Sequence, residues 1–230
     1  MKIRVKFSKG GALVFIGHLD IMRYFQKLIR RAQIPIAYSQ GMSPHQIMSF
    51  ALPLGLGISS VAEYMDIEIT ETVKSQDAIL QMNEMSVEDI QILSFKQLPE
   101  DAKNAMAAVT AADYEVRFRE GRKPELDFGA ALNELLSKQE IPITKKTKKS
   151  ERTIDIKPFI YKAYFENDVF YFTLSCGSVD NTKPELVMKA LCDFVNVPLL
   201  EFDLLLKRTE LYTGERDSLI SLDEIGSDIV

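Results

Sequence analysis

The chain has 230 residues, of which 46% are hydrophobic and 27% charged, with a net charge of −5. This is ordinary globular usage with room for one large or two small cores, and it excludes a chain that stays disordered for lack of apolar residues. No apolar run approaches the twenty or so residues a membrane helix needs, and Met1-Lys2-Ile3-Arg4 runs into a strand pattern rather than a signal peptide, so a cytoplasmic protein with no membrane partner is expected.

The net charge hides a segregation. Residues 1–50 carry eight Lys/Arg against the single acid Asp20, a net of +7, whereas residues 51–100 carry two against nine, a net of −7, and residues 201–230 sum to −5. Either one surface is positive and suited to an anionic partner, or the two signs neutralise each other across the fold.

Taken in chain order, Ile3, Val5 and Phe7 alternate with Lys2, Arg4 and Lys6, the period of a half-buried strand whose free face is cationic. A helix is expected from about Gly17-His18 to Gln33, stopped by Pro35, with Ile21, Phe25, Leu28 and Ala32 on one side and Arg23, Lys27, Arg30 and Arg31 on the other. A short strand comes next at Ile34 to Ser39, then a long Gly/Pro-containing connection from Gln40 to Ser60, of the kind that usually carries function. Glu63 to Thr70 reads as a strand, Ser75 as the cap of a helix to about Met85, and Ile90 to Phe95 as a fourth strand.

After a linker at Leu98 to Ala112 the pattern repeats. Tyr114, Val116 and Phe118 alternate, Pro124 to Gln139 is helical, and Ile141-Pro142-Ile143 echoes Ile34-Pro35-Ile36. A hairpin turns at Glu166-Asn167-Asp168, a helix opens at Thr182-Lys183-Pro184, and Leu199 to Arg208 closes the set. The expectation is an α+β protein of two tandem ferredoxin-like (βαββαβ) units, residues 1–98 and 112–212, followed by an acidic C-terminal tail at 213–230.

The sequence carries no Walker loop, dinucleotide fingerprint, zinc spacing or nucleophile elbow, so no cofactor is expected. Cys176 and Cys192 lie in apolar surroundings and read as free core thiols. Both histidines, His18 and His45, fall in the basic segment. His18 is either a satisfied core residue or, at the helix start, a catalytic imidazole oriented by Asp20. His45 sits in the long loop, as a second catalytic candidate or as idle surface. Arg23, Lys27, Arg30 and Arg31 lack acids at four-residue spacing and read as an anion-binding face, to which Tyr38 and Ser39 are added as binding residues. His18, Asp20, Arg23, Tyr38, Ser39 and His45 are expected to line one pocket under the loop from Gly41 to Gly57. A second basic run, Lys145, Lys146, Lys148, Lys149 and Arg152, adds nonspecific attraction.

Phe15-Ile16-Gly17-His18-Leu19-Asp20, Leu28-Ile29-Arg30-Arg31-Ala32, Ile34 to Gly41 and Ser43-Pro44-His45 resemble an uncharacterised bacterial family of radical-SAM-linked proteins, a domain fused to or encoded beside radical SAM enzymes. Pro53 to Gly57, Glu63-Tyr64, Thr153 to Pro158 and Arg208 to Leu211 extend the likeness. Met42-Ser43 depart from the family's Phe-Asn before Pro-His. The resemblance implies an accessory role, with any iron–sulfur cluster on a partner, because two cysteines cannot supply the three-cysteine motif. Three functions stay open: an RNA-binding accessory (tRNA or rRNA) acting with a radical SAM enzyme in RNA modification, an RNA-processing enzyme using His18 as general acid/base, and a protein-interaction module.

Overall fold

The computed structural model describes residues 1–146, 151–177 and 181–230, with backbone alone at 145, 146, 151 and 152. The chain is mixed α+β, with five α-helices among the described residues and strands that pair mostly antiparallel. Two compact units are present: Met1–Thr110 with Glu210–Val230, and Ala111–Thr209. The first begins β1 (Lys2–Lys9), α1 (His18–Arg31), β2 (Met48–Phe50), β3 (Ile58–Glu68), α2 (Ser75–Glu84), β4 (Ile92–Gln97) and α3 (Ala105–Ala108). The second contains β5 (Ala111–Phe118), α4 (Phe128–Ser137), β6 (Pro142–Lys146), β7 (Glu151–Asp155), β8 (Ile160–Glu166), β9 (Val169–Ser175) and α5 (Pro184–Phe194). Strand β10 (Leu204–Thr213) gives its first residues to the second unit and its last to the first, where β11 (Ile220–Ser221) and β12 (Ser227–Asp228) complete the chain.

In the first unit the strands run β12-β4-β1-β3, with β2 also on β3. Ile3 faces Ile67 and Val5 faces Met65 across β1 and β3. Ile3, Val5 and Phe7 are fully buried against Phe25, Leu28 and Ile29 of α1 and Met82 of α2, with Phe7 and Phe25 ring centroids 4.5 Å apart. Each such side chain taken from water contributes roughly 1.5–3 kcal/mol, which is why the period-2 and period-3.6 patterns win over local preferences.

The opposite side of β1 is not free. Arg4 is 1% exposed, its Nε and Nη2 bonding Asp66 at 2.8 and 3.0 Å and Nη2 also donating to the Lys103 carbonyl. Asp66 Oδ2 further accepts the Ala105 N–H at the start of α3. Lys6 pairs with Glu210 at 2.9 Å, and Glu210 also accepts the Tyr64 hydroxyl. Of the cationic face expected in solvent, Arg4 and Lys6 are covered and neutralised by acids of the first unit, and Lys2 stays exposed.

Three further expectations shift. The second strand is Met48–Phe50, inside the presumed loop, while Ile34 to Ser39 makes only single bridges, Ile36 with Ile69 and Tyr38 with Gln46. Ser75 is not the cap of α2, since Lys74 precedes it and the Ser75 hydroxyl accepts the Ile229 N–H and donates to the Phe95 carbonyl. Residues 213–230 are folded rather than trailing: β12 pairs with β4, and Ile229 packs against the core.

In the second unit the order is β10-β5-β9-β8, with β6 and β7 forming a separate hairpin. Of the basic run, Lys145, Lys146 and Arg152 lie on β6 and β7 without described side chains, and Lys148 and Lys149 lie outside the described residues. Cys176 and Cys192 are buried and free. Burial pushes their thiols up to about 12 and about 11, so both are inert at neutral pH.

The buried pair generates a test. Asp66→Ala strands the Arg4 guanidinium and the Ala105 N–H, and the urea midpoint should drop by the equivalent of about 3–5 kcal/mol. Asp66→Asn, which keeps an acceptor for Ala105, should lose less.

Candidate functional site

Of the eight basic residues in the first fifty, the four on β1 are used internally. Arg4 and Lys6 are held by Asp66 and Glu210, Lys2 donates to the Glu100 carbonyl, and buried Lys9 donates to the Ile16 carbonyl at 3.0 Å. The other four lie on α1. Arg23, Lys27, Arg30 and Arg31 are exposed. Arg23 reaches Asp20 at 3.3 Å in a solvent-exposed pair, which is worth little. Lys27 has no ion-pair partner among the described residues. Arg31 donates to the Met85 carbonyl beyond α2 and so braces α1, leaving Arg23, Lys27 and Arg30 at i, i+4, i+7 as one open cationic stripe.

The end of α1 sets the path of residues 33–46. The Gln33 N–H bonds the Arg30 carbonyl and the Ile34 N–H the Ile29 carbonyl, a Schellman closure with Gln33 at φ +54 where glycine is usual. The helix therefore stops at Arg31, by this left-handed residue and not by Pro35. The chain then turns back along β3, the Ala37 N–H on the Glu68 carbonyl. Tyr38 pairs with Gln46 across a short loop. Within it Ser39 Oγ lies 2.8 Å from His45 Nδ1 and accepts the His45 N–H at 3.1 Å, and the Ser39 N–H bonds the His45 carbonyl. His45 is thus tied to Ser39 through its backbone and through Nδ1. Arg30 Nε donates to the Gln26 carbonyl, as does the Gln46 amide at 3.3 Å. Gln26, Arg30, Tyr38, Pro44, His45 and Gln46 line a cleft of about 220 Å³.

His18 occupies a different cleft. It is the first residue of α1, half-buried, its ring edge-on to Phe50 at 5.4 Å. Lys9, Glu63, Tyr64, Leu52, Pro53 and Leu54 line the same space, and Gly57 bonds the Val14 carbonyl, folding residues 52–57 over the start of α1. The cleft's volume is about 20 Å³, room for one water-sized group. Lys9 and Glu63 are 3% and 6% exposed. Burial holds the His18 pKa below its ordinary 6.5, opposed by the Glu63 carboxylate and reinforced by Lys9, so the imidazole is neutral at pH 7.

The single pocket expected for His18, Asp20, Arg23, Tyr38, Ser39 and His45 is therefore two clefts. His45 and Tyr38 join Arg30 in one; His18 joins Lys9 and Glu63 in the other. Asp20 serves Arg23 rather than the imidazole. Twelve residues of helix separate His18 from Arg30, about 18 Å of axial rise, and one small pocket cannot span them. Lys9, Glu63, Gln26 and Gln46 do not stand out in the sequence. Glu63 sits in an alternating strand, and the signal available for Lys9 is only its isolation beside Gly10-Gly11. Among the described residues no group of His, Cys, Asp and Glu is placed to hold a metal.

A depressed pKa has a defined sign. The stability His18 lends is full above about pH 6.5 and is lost as pH falls toward the folded-state value, because the unfolded chain binds the proton first. An NMR titration should place the His18 midpoint below 6.5, and Glu63→Gln should move it lower still.

Among known proteins, no curated protein matches the chain. A solved structure described as "Crystal Structure of a Cbf5-Nop10-Gar1 Complex" is similar at 10% identity and a TM-score of 0.43, covering 91% of this chain and 48% of that one, so the chain spans about half its length. A family profile described as "Uncharacterized protein conserved in bacteria (DUF2344)" matches residues 2–184, most of the length, and the chain belongs to that bacterial family.

Proposed function

We propose that this protein is an RNA-binding accessory module whose contact surface is the outer face of α1. The observation that carries this reading is the stripe Arg23, Lys27 and Arg30. It stays exposed and nearly uncompensated, whereas Arg4, Lys6 and Lys9 are held within the fold and the exposed Lys2 and Arg31 each donate to a backbone carbonyl. Guanidinium groups on a rigid helix suit phosphate oxygens, and such contacts position a nucleic acid without reading its sequence. The fold reading that goes with it is two ferredoxin-like units, supported by the orders β4-β1-β3-β2 and β10-β5-β9-β8, each with its helices as crossovers and the second interrupted by the β6–β7 hairpin. In the first unit the sheet face that other RNA-binding folds of this kind present is occupied by Arg4, Asp66 and the Ala105 N–H, which favours the helix face instead.

The likeness of the first-half motifs to radical-SAM-linked proteins supports a role beside a radical SAM enzyme in modifying tRNA or rRNA. Such an enzyme would bring the cluster, and this chain the grip on substrate.

Binding of an RNA oligonucleotide should weaken steeply between 50 and 200 mM salt, the slope counting the phosphates neutralised. Reversing Arg23 and Lys27 to Glu should flatten that slope while changing stability by no more than about 0.5 kcal/mol. Parent-like binding by the double variant would rule this surface out.

A second reading, RNA processing with His18 as general acid/base, is favoured by one observation: a neutral imidazole beside buried Lys9 and Glu63, a poised proton acceptor at pH 7. If it holds, labelled RNA is cleaved by the parent and not by His18→Ala, with both proteins equally folded. Equal cleavage, or none by either, leaves His18 as a packing residue.

A further inference from the structure

We infer that the cleft between α1 and the 38–46 loop is a subsite for one unpaired nucleotide, its base against Tyr38 and its phosphate between Arg30 and His45. The inference rests on the RNA reading and adds to it a specificity for single strands.

Four features meet there. Tyr38 is 46% exposed, an apolar ring kept in water beside Arg30 and His45. Its exposure is not a failure of packing, because its neighbours in sequence, Ile36 and Ile34, are buried. His45 is held by its backbone and by Nδ1 to Ser39, so that Nε2 is presented in a fixed direction. The Arg30 guanidinium is oriented by the bond from its Nε to the Gln26 carbonyl, leaving its terminal nitrogens for a ligand. The fourth is Gln46, 6% exposed, whose amide nitrogen is satisfied by Gln26 while its carbonyl oxygen is enclosed and receives no hydrogen bond.

An enclosed acceptor without a donor is unfavourable, and a donor brought by a ligand relieves it once the Gln46 amide turns toward the cleft. A base supplies it: the Watson–Crick edge of each of the four bases carries at least one N–H, free only when the base is unpaired. A phosphate alone would satisfy Arg30 and His45 but leave both Tyr38 and the Gln46 oxygen unused. An apolar ligand would use Tyr38 and leave the cations desolvated. The nucleotide is the class that uses all four, and base–aromatic stacking combined with a basic track is the general means of holding single strands. Arg30 belongs to the α1 stripe as well, so the strand's backbone can follow the helix while one base turns into the cleft.

The test is fluorescence anisotropy with the full chain and three labelled probes: a single-stranded RNA of mixed sequence, the same strand with abasic sites throughout, and the perfect duplex. The parent should bind the intact single strand more tightly than the abasic one. Tyr38→Ala should remove that preference, weakening intact-strand binding roughly five- to a hundred-fold, as loss of a base stack does, and leave duplex binding unchanged. Tyr38→Phe keeps the ring and should retain the preference; it is also the control for folding. Gln46→Leu should narrow the preference too. If the parent binds intact and abasic strands alike, or Tyr38→Ala behaves as parent, the subsite is overturned while the helix face stands. Salt-insensitive or absent binding to all three probes overturns the helix face and the subsite together.

Discussion

The neutralisation of β1 decides where positive charge remains in the first fifty residues. A central strand with basic residues at alternate positions can face them to water or bury them with partners, and here both faces are covered. Arg4 is enclosed and must be paired, because an isolated guanidinium in that position would carry an uncompensated desolvation penalty. Asp66 on β3 meets it in register, Arg4 standing opposite Asp66 across the two strands, and Glu210 meets Lys6 from the chain's far end. Two acids, Asp66 and Glu210, thus cancel charge locally at Arg4 and Lys6. They leave α1 alone, and that asymmetry, rather than the net charge of the segment, defines the candidate surface.

The need to pair buried charge also brings together groups distant in sequence. Glu210 accepts the Tyr64 hydroxyl and lies beside Lys6, whose ammonium sits near the Tyr64 ring as well. Burial and the Glu210 carboxylate push the Tyr64 hydroxyl far above its ordinary range, so it remains a donor at any physiological pH. Together with Ser75, which joins the Ile229 backbone to β4, this polar seam fastens the last twenty-one residues into the unit begun by the first hundred and ten.

A feature is legible in the sequence to the extent that it is locally determined. The strand period of Ile3, Val5 and Phe7, the amphipathic α1, the α2 and α5 helices and the Asn167-Asp168 turn, both residues with positive φ, depend on nearest neighbours and emerge with small boundary errors. The fate of the alternate face of β1 is not legible, since a period of two says that two faces differ and nothing about what covers the second. Met48–Phe50 escapes because three residues are too few to show a period, and the acidic composition of 213–230 hides the short pairings that fold it. The candidate site is legible in its ingredients and not in its partition. Both histidines and the arginines stand out, but a linear motif gives no measure of the helix between them.

That helix has a consequence for any ligand that uses both clefts. From His18 to Arg30 is about 18 Å of rise and about three and a third turns, with Arg23, Lys27 and Arg30 on the side of α1 away from His18. A compact metabolite cannot touch both ends. A polymer can: with one phosphate per about 3.4 Å of axis on each strand of duplex DNA, the interval corresponds to roughly five, and fewer for an extended single strand. A nucleotide fixed at Tyr38 and His45 would then set the register of the strand along α1. Under the proposed RNA reading, the Tyr38 cleft would anchor one end of the strand and the cations of α1 would hold the phosphates beyond it.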